Sequence, residues 1–131
     1  MDESLVNGML AIMPSPELVA HEWEKHGTCS GLSPKDYFAE AAEAFESIQI
    51  PAQYQNPRQQ ITVNPDRLRD DFAAANPKIG KPEFVVLCSR NGRFLQEVRA
   101  CLTPELDGRA CNAEVLRDAC ESDETIMRPL R

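Results

Sequence analysis

The stretch FVVLCSRNGRFLQEVRACL, residues 84–102, decides the predicted fold of this chain. It contains two runs rich in valine, leucine and phenylalanine, separated by the pair Asn91-Gly92. An Asn-Gly pair between two such runs is the strongest short-range sign of a β-hairpin with a two-residue turn. We therefore predict two antiparallel strands here.

Three helical segments are predicted before the hairpin. A short one begins at Glu17, carries the two histidines and stops at Gly27 or Gly31. The other two each have a signal at the first turn. In SPKD, residues 33–36, the serine can cap a helix that carries proline and aspartate in its first turn. In NPD, residues 64–66, the same pattern opens a helix that extends to about Ala75, with Leu68 and Phe72 facing inward. The helix that begins at SPKD has an apolar stripe at helical spacing, formed by Tyr37, Phe38, Ala41, Ala42 and Phe45.

The remaining segments complete an α+β pattern. Residues 51–60 are a proline-broken loop, and residues 61–63 alternate like a short strand. The tail from Thr103 is predicted to be irregular, with one helical turn near 113–119. Because helices come first and the sheet is antiparallel, we expect helices packed on an antiparallel sheet in a single domain, residues 1–131.

Charge and hydropathy exclude two classes of protein. The net charge of −7 argues against a charge-driven nucleic-acid coat protein, although it leaves open an enzyme that binds a few phosphates in a local basic cleft. No apolar run approaches the roughly 18 residues that span a bilayer, so no membrane partner is expected. The opening MDESLVNGMLAIM lacks the features of a signal peptide, because its first charges are acidic and its apolar stretch is short.

Five cysteines are many for 131 residues, and their distribution favours disulfides over zinc. No CxxC pair occurs, which argues against a zinc ribbon or finger. Four cysteines in the last third are typical of two disulfides in an oxidising compartment, the periplasm or the exterior. These four are Cys88, Cys101, Cys111 and Cys120. The fifth cysteine, Cys29, has no obvious partner.

The motif HEWEKHGTC, residues 21–29, holds both histidines of the chain and its only tryptophan. A zinc-protease helix uses HExxH, whose histidines are four residues apart and share one face. Here His26 lies five residues after His21, roughly 140° around a helix. Imidazoles that diverge so far do not easily chelate one ion, and Lys25 would repel it. We therefore expect no metal and no other cofactor.

The same helical geometry suits a phosphodiester. His21, Glu22, Lys25 and His26 line one continuous side of a helix, and Trp23 falls on the other side, where it is expected in the core. A histidine can move protons near neutral pH, and a lysine can neutralise the charge that develops on phosphorus. A solvated polar face is the commoner explanation for such a helix.

HEWEKHGTC resembles the second active-site signature of the ribonuclease T2 family nearly residue for residue. The flanks MPS and CSGLSPKDYF resemble bacterial members, and the hairpin FVVLC to EVRAC resembles later strands of the family. The resemblance therefore extends from about Met13 to Cys111.

This resemblance implies a periplasmic or secreted endoribonuclease that needs no metal. Such enzymes act on single-stranded RNA as lyases and hydrolases, by transesterification through a 2′,3′-cyclic phosphate. By the same resemblance, His26 is one of two acid/base histidines and His21 binds phosphate. Lys25 binds phosphate or stabilises the transition state, and Glu22 stabilises it or tunes the histidines. The family pattern also pairs Cys88 with Cys120 and Cys101 with Cys111. It normally pairs the cysteine at Cys29 with one earlier in the chain, and because no cysteine precedes Cys29 here, Cys29 is expected to be unpaired.

The chain departs from the family at the first signature, an FTIHGLWP-like segment that supplies the other catalytic histidine. Only 20 residues precede His21, and none is a histidine. We therefore expect a fold that lacks its N-terminal part, with that part as a missing partner or with self-association instead. One alternative is a non-catalytic RNA- or phosphate-binding remnant. Another is a structural or inhibitory disulfide domain, which would have no reason to keep the histidine motif.

Overall fold

The structure, a computed structural model, describes residues 2–13 and 15–129. The chain divides into two compact units, the first ending at Ile48 and the second beginning at Gln49. Five α-helices and four β-strands occur among the described residues, and both strand pairs are antiparallel. The predicted α+β class is therefore confirmed. None of the helices in the described residues is both long enough and apolar enough to cross a membrane.

The first unit is helical. Each helix begins after a side chain that accepts a hydrogen bond from its first turn, with Asp2, Ser15 and Ser33 in this role. Its small core consists of the buried residues Met9, Val19 and Phe38. The helices are α1 Glu3–Met9, α2 Pro16–Lys25 and α3 Pro34–Ser47.

Helix α3 begins where the sequence predicts, but its apolar stripe is only partly buried. Phe38 is fully buried, whereas Phe45 on the same face is 56% exposed. The core of the first unit includes Tyr37 and Phe38 from this helix and nothing from its later turns. The apolar stripe predicted on α3 is therefore present, but it is buried at Phe38 and exposed at Phe45, because the described core of this unit packs only against the first turns of the helix.

The second unit contains two small sheets with a helix packed on one of them. Strand β1 pairs with β4, and β2 pairs with β3. The side chain of Asn64 accepts a hydrogen bond of 2.9 Å from the backbone of Arg67 and caps α4, as predicted. Leu68 and Phe72 of this helix are buried, and the Phe72 ring lies 5.5 Å from that of Phe84 on β2. The elements are β1 Ile61–Val63, α4 Pro65–Ala75, β2 Phe84–Cys88, β3 Leu95–Ala100, α5 Ala113–Arg117 and β4 Thr125–Met127.

The predicted hairpin is present, but its connection is longer than two residues. Strand β2 ends at Cys88 and β3 begins at Leu95. The backbone N–H of Gly92 donates to the carbonyl of Ser89 over 2.7 Å, so Arg90 and Asn91 are the central turn residues. Gly92 follows with φ of 74°, which favours glycine. The prediction of a two-residue turn is wrong because the glycine follows the turn instead of forming its second half.

Two disulfides connect the tail to the hairpin. Cys88 bonds to Cys120, and Cys101 bonds to Cys111, which confirms the pairing implied by the family resemblance. The predicted helical turn is α5. Strand β4 was not predicted, because three residues with one buried side chain give no alternation strong enough to detect.

Candidate active site

Helix α2 presents the histidine motif, and its ends are defined by local signals. The hydroxyl of Ser15 accepts a hydrogen bond of 3.1 Å from the backbone of Leu18, and Pro16 occupies the first turn. Lys25 lies in the last turn, where a cation interacts favourably with the helix dipole. His26 is the C-cap residue, and its backbone N–H still donates to the carbonyl of Glu22 over 3.0 Å.

One side of α2 anchors the helix in the first unit. Val19 is fully buried, and Trp23 packs against the cluster of Met9, Val19 and Phe38. The Trp23 ring meets the Tyr37 ring edge to face, with centroids 5.8 Å apart. Trp23 therefore packs against the core of the first unit, as the sequence predicts.

The other side of α2 carries the candidate catalytic groups. His21, Lys25 and His26 are exposed, and Glu22 is half-buried. His26 Nε2 and Glu22 Oε2 lie 3.8 Å apart, and the two residues are one helical turn from each other. At this separation a protonated imidazole gains favourable charge interaction, and a small side-chain movement would form a hydrogen bond. Glu22 and His26 thus form a carboxylate–imidazole pair on the exposed side of the helix.

Tyr37 on α3 is a neighbour of this pair that the sequence does not reveal. Burial raises the pKa of Tyr37, and the negative charge of Glu22 raises it further. The hydroxyl therefore stays protonated beside the carboxylate. From the sequence Tyr37 is only one member of an apolar stripe, because its proximity to Glu22 depends on how α2 and α3 pack.

After the helix, the chain turns sharply against Trp23. Residues Gly27–Cys29 form a short 3-10 helix, and the hydroxyl of Thr28 donates to the carbonyl of Glu24 over 3.0 Å. Gly27 is buried so closely against Trp23 that a Cβ atom there would overlap the indole ring. Cys29 is exposed and forms no disulfide, as predicted.

Charge is distributed unevenly between the two units. Residues 1–48 contain nine acidic side chains and two basic ones, Lys25 and Lys35, so this unit accounts for the whole net charge of −7. Residues 49–131 contain twelve of each sign. Lys25 is therefore one of only two cations in the unit that carries the motif. Among residues 2–13 and 15–129, no group of three or more metal-binding side chains lies together.

Comparison with known proteins identifies the family. The sequence model of the ribonuclease T2 family matches residues 8–111. This range includes the whole histidine motif and both cysteines of the Cys101–Cys111 disulfide. The chain belongs to the ribonuclease T2 family, whose members are RNA-cleaving enzymes.

Two relatives agree with this assignment. A ribonuclease of Aeromonas hydrophila is 27% identical over 135 aligned residues, which cover all of this chain and 63% of the relative. A probable ribonuclease of Haemophilus influenzae is 40% identical over 53 residues, which cover 40% of this chain and 20% of the relative. The chain thus spans less than two thirds of the length of either relative. No solved structure gives a significant match.

Proposed function

We propose that this chain carries part of the active site of an endoribonuclease that cleaves single-stranded RNA through a 2′,3′-cyclic phosphate. The observation that carries the proposal is the Glu22–His26 pair, 3.8 Å apart on the exposed side of a helix whose opposite side is fixed by Trp23. Such an arrangement holds an imidazole in contact with solvent and beside a carboxylate, as acid–base chemistry near neutral pH requires.

In the first step, the 2′-oxygen attacks phosphorus and the bond from phosphorus to the 5′-oxygen breaks. We assign to His26 the removal of the 2′-hydroxyl proton, and Glu22 stabilises the imidazolium that forms. A second acid must donate a proton to the 5′-oxygen as it leaves. The printed sequence has no histidine outside the motif, so the family's first signature would have to supply that acid.

His21 and Lys25 are proposed to hold the phosphate. They lie four residues apart on α2 and are both exposed, so one anion can contact both side chains. The ammonium of Lys25 would offset the charge that accumulates on the phosphoryl oxygens in the transition state. No cofactor or metal has a part in this scheme.

One alternative is supported by a specific observation. Since the chain contains two histidines, one on α2 and one at its C-cap, a phosphate-binding remnant without catalytic turnover would keep the same contacts. This alternative predicts RNA binding that depends on Lys25 and no cleavage under any condition. RNA is the proposed partner in both cases. The two disulfides support a periplasmic or secreted location, where such bonds persist.

The test uses two matched pairs of variants. Single-stranded RNA is incubated with the chain, with and without a fragment carrying an FTIHGLWP-like segment, and the product ends are determined by mass spectrometry. We expect 2′,3′-cyclic phosphate ends, and a loss of about 10²-fold in rate for Lys25→Ala. Lys35→Ala removes the other lysine of the same unit and should have little effect. Glu22→Gln should slow cleavage, whereas Glu24→Gln, on the exposed surface of the same helix, should not.

Two results would contradict the proposal. Products with 3′-hydroxyl ends would exclude transesterification. Equal losses in the two lysine variants would mean that Lys25 contributes only general charge and makes no specific contact with the reacting phosphate.

A further inference from the structure

Two arginines of the second unit rest on one aromatic ring. The guanidinium carbon of Arg128 lies 4.3 Å from the centre of the Phe94 ring, and that of Arg93 lies 5.2 Å from it. Both distances fall within the range of about 6 Å in which a cation is attracted by the face of an aromatic ring. We call Arg93, Phe94 and Arg128 the arginine–phenylalanine cluster.

Backbone hydrogen bonds fix the two segments that form this cluster. The N–H of Ile126 on β4 donates to the carbonyl of Arg93 over 2.8 Å, and Phe94 bridges Ile126 in parallel orientation. The hairpin side is held by Ser89, whose backbone N–H donates to the carbonyl of Phe94 over 2.8 Å. The hydroxyl of Ser89 also accepts from the Phe94 N–H over 3.0 Å. The cluster is therefore built on fixed backbone.

Neither guanidinium has a partner other than the ring among the described residues. No carboxylate lies at ion-pair distance from Arg93 or Arg128, and neither side chain donates a hydrogen bond within residues 2–13 and 15–129. The contrast with Arg69 is clear, because that side chain donates to two backbone carbonyls. Three carboxylates lie shortly before β4 in the chain: Glu121, Asp123 and Glu124. None of them lies within ion-pair distance of Arg93 or Arg128.

This arrangement leaves the guanidinium donors available for an anion. The ring attracts the positive charge of a guanidinium, and the five N–H groups of each guanidinium remain available as hydrogen-bond donors. These donors match the oxygens of a phosphodiester, to which arginine forms paired hydrogen bonds. Because Phe94 already restricts both side chains, less conformational entropy is lost when an anion binds.

The distribution of charge favours a polyanion at this position. The first unit carries net −7 and has two basic side chains, whereas the second unit contains twelve of the fourteen basic side chains and has no net charge. Affinity for a nucleic acid depends mainly on contacts between basic side chains and phosphates. Most of the basic side chains that can contact phosphates along a long RNA therefore belong to the second unit.

We infer that Arg93 and Arg128, supported by Phe94, bind phosphates of single-stranded RNA at a site outside the histidine motif. The inference rests on the proposed function for the identity of the polyanion. Phe94 is half-buried and its ring already holds guanidinium groups, so it supports the arginines and does not stack on a base.

The test measures binding without cleavage, so that it does not depend on the catalytic proposal. A fluorescent 2′-O-methyl oligonucleotide, which cannot form a cyclic phosphate, is titrated with the full chain at several salt concentrations. We expect Arg93→Ala/Arg128→Ala to weaken binding about tenfold at low salt. We also expect it to lower the slope of log affinity against log salt by about 1.4, since each single-strand phosphate contact contributes roughly 0.7.

Three further variants make the test specific. Arg58→Ala/Arg109→Ala makes the same change in net charge at two exposed arginines and should have much less effect. Arg93→Lys/Arg128→Lys should keep most of the dependence of affinity on salt but bind several-fold more weakly. A lysine ammonium lacks the planar set of paired donors with which arginine contacts two phosphate oxygens. Phe94→Leu should weaken binding without any change in charge, and a thermal melt checks that this variant is folded.

Equal losses in the two double-alanine variants would overturn the inference, because general charge would then explain binding. So would a polyglutamate of matched charge that bound as tightly and lost affinity in the same variants, because the site would then be one for acidic proteins. Failure of the proposed function would look different. RNA would remain uncleaved, whereas the dependence of binding on the cluster would persist.

Discussion

Gly27 lies against the indole ring of Trp23, and this contact determines how the chain leaves helix α2. Trp23 anchors the helix in the core of the first unit, and His26 directly precedes the glycine. A larger residue would have to displace either the ring or the backbone that follows His26. Packing on one side of the helix thus controls the position of the candidate catalytic group on the other.

We expect Gly27→Ala to destabilise the chain by about 1–3 kcal/mol, because the added methyl group overlaps Trp23 in a packed interior. Gly8→Ala is the matched control, since a Cβ there meets nothing within 4 Å and alanine favours the helix. Urea unfolding, followed by the fluorescence of the single tryptophan, measures both variants. If the two variants were equally stable, the close contact between Gly27 and Trp23 would be excluded.

Tyr54 makes a second contact whose energy depends on pH. Burial, and then the hydrogen bond of 2.6 Å from its hydroxyl to Asp71, raise the pKa of Tyr54 to about 12. The folded pKa lies above the value of about 10 for an unfolded tyrosine. The contribution to stability is therefore fully present below pH of about 10, and it is lost as the pH rises through 12.

We expect Tyr54→Phe to be less stable than the parent below pH of about 10. The difference in the free energy of unfolding should shrink as the pH rises from about 10 to 12. Chemical unfolding at a series of pH values measures the difference, and tyrosine absorbance in Tyr37→Phe and Tyr54→Phe assigns the two ionisations. A stability difference independent of pH across this range would show that the hydroxyl has no role in the effect.

At the scale of elements, two cap signals predict the helices that follow them, whereas helix α1 and the pairing of distant strands are not predicted. Ser33 and Asn64 identify the starts of α3 and α4 because a cap acts on backbone groups three residues away. Strand β4 escapes detection because it is defined by β1, more than sixty residues earlier in the chain. The exposure of Phe45 and the proximity of Tyr37 to Glu22 depend on helix packing and are missed for the same reason.

Each disulfide should stabilise the second unit by an amount that grows slowly, as the logarithm, with the length of the loop that it closes. Their partners are separated by 32 and 10 residues. The chain-entropy relation gives about 4 kcal/mol for Cys88–Cys120 and about 3 kcal/mol for Cys101–Cys111. We expect Cys88→Ala/Cys120→Ala to lower the urea midpoint more than Cys101→Ala/Cys111→Ala. The reverse order would show that the buried position of Cys111, beside Val85 and Leu87, outweighs loop length.

At the scale of the whole molecule, exposed apolar side chains predict self-association. Leu10, Leu18, Leu32 and Phe45 of the first unit are at least 37% exposed, and Phe45 is 56% exposed. Within the part of the chain that the structure describes, every strand belongs to a two-stranded sheet, so each has an edge that no other strand covers. Both features favour contact with another chain.

Sedimentation velocity should therefore detect oligomers that increase with protein concentration. Phe45→Ser should reduce them, and Leu116→Ser, which removes an exposed leucine of the second unit, is the control. A monodisperse monomer at all concentrations would contradict this prediction.

The central claim is that His26 transfers a proton during RNA cleavage, and one assay tests it most directly. Cleavage of single-stranded RNA is measured from acidic to neutral pH for the parent chain and His26→Ala, with and without a fragment that carries the family's first signature. We expect feeble cleavage by the chain alone, strong stimulation by the fragment, and a loss of about 10²–10⁴-fold on replacing His26 in the stimulated reaction. In the chain alone the same replacement should cost much less, because acid and base act as a unit. Full activity of the isolated chain, unchanged in His26→Ala, would contradict the assignment of the catalytic centre to helix α2.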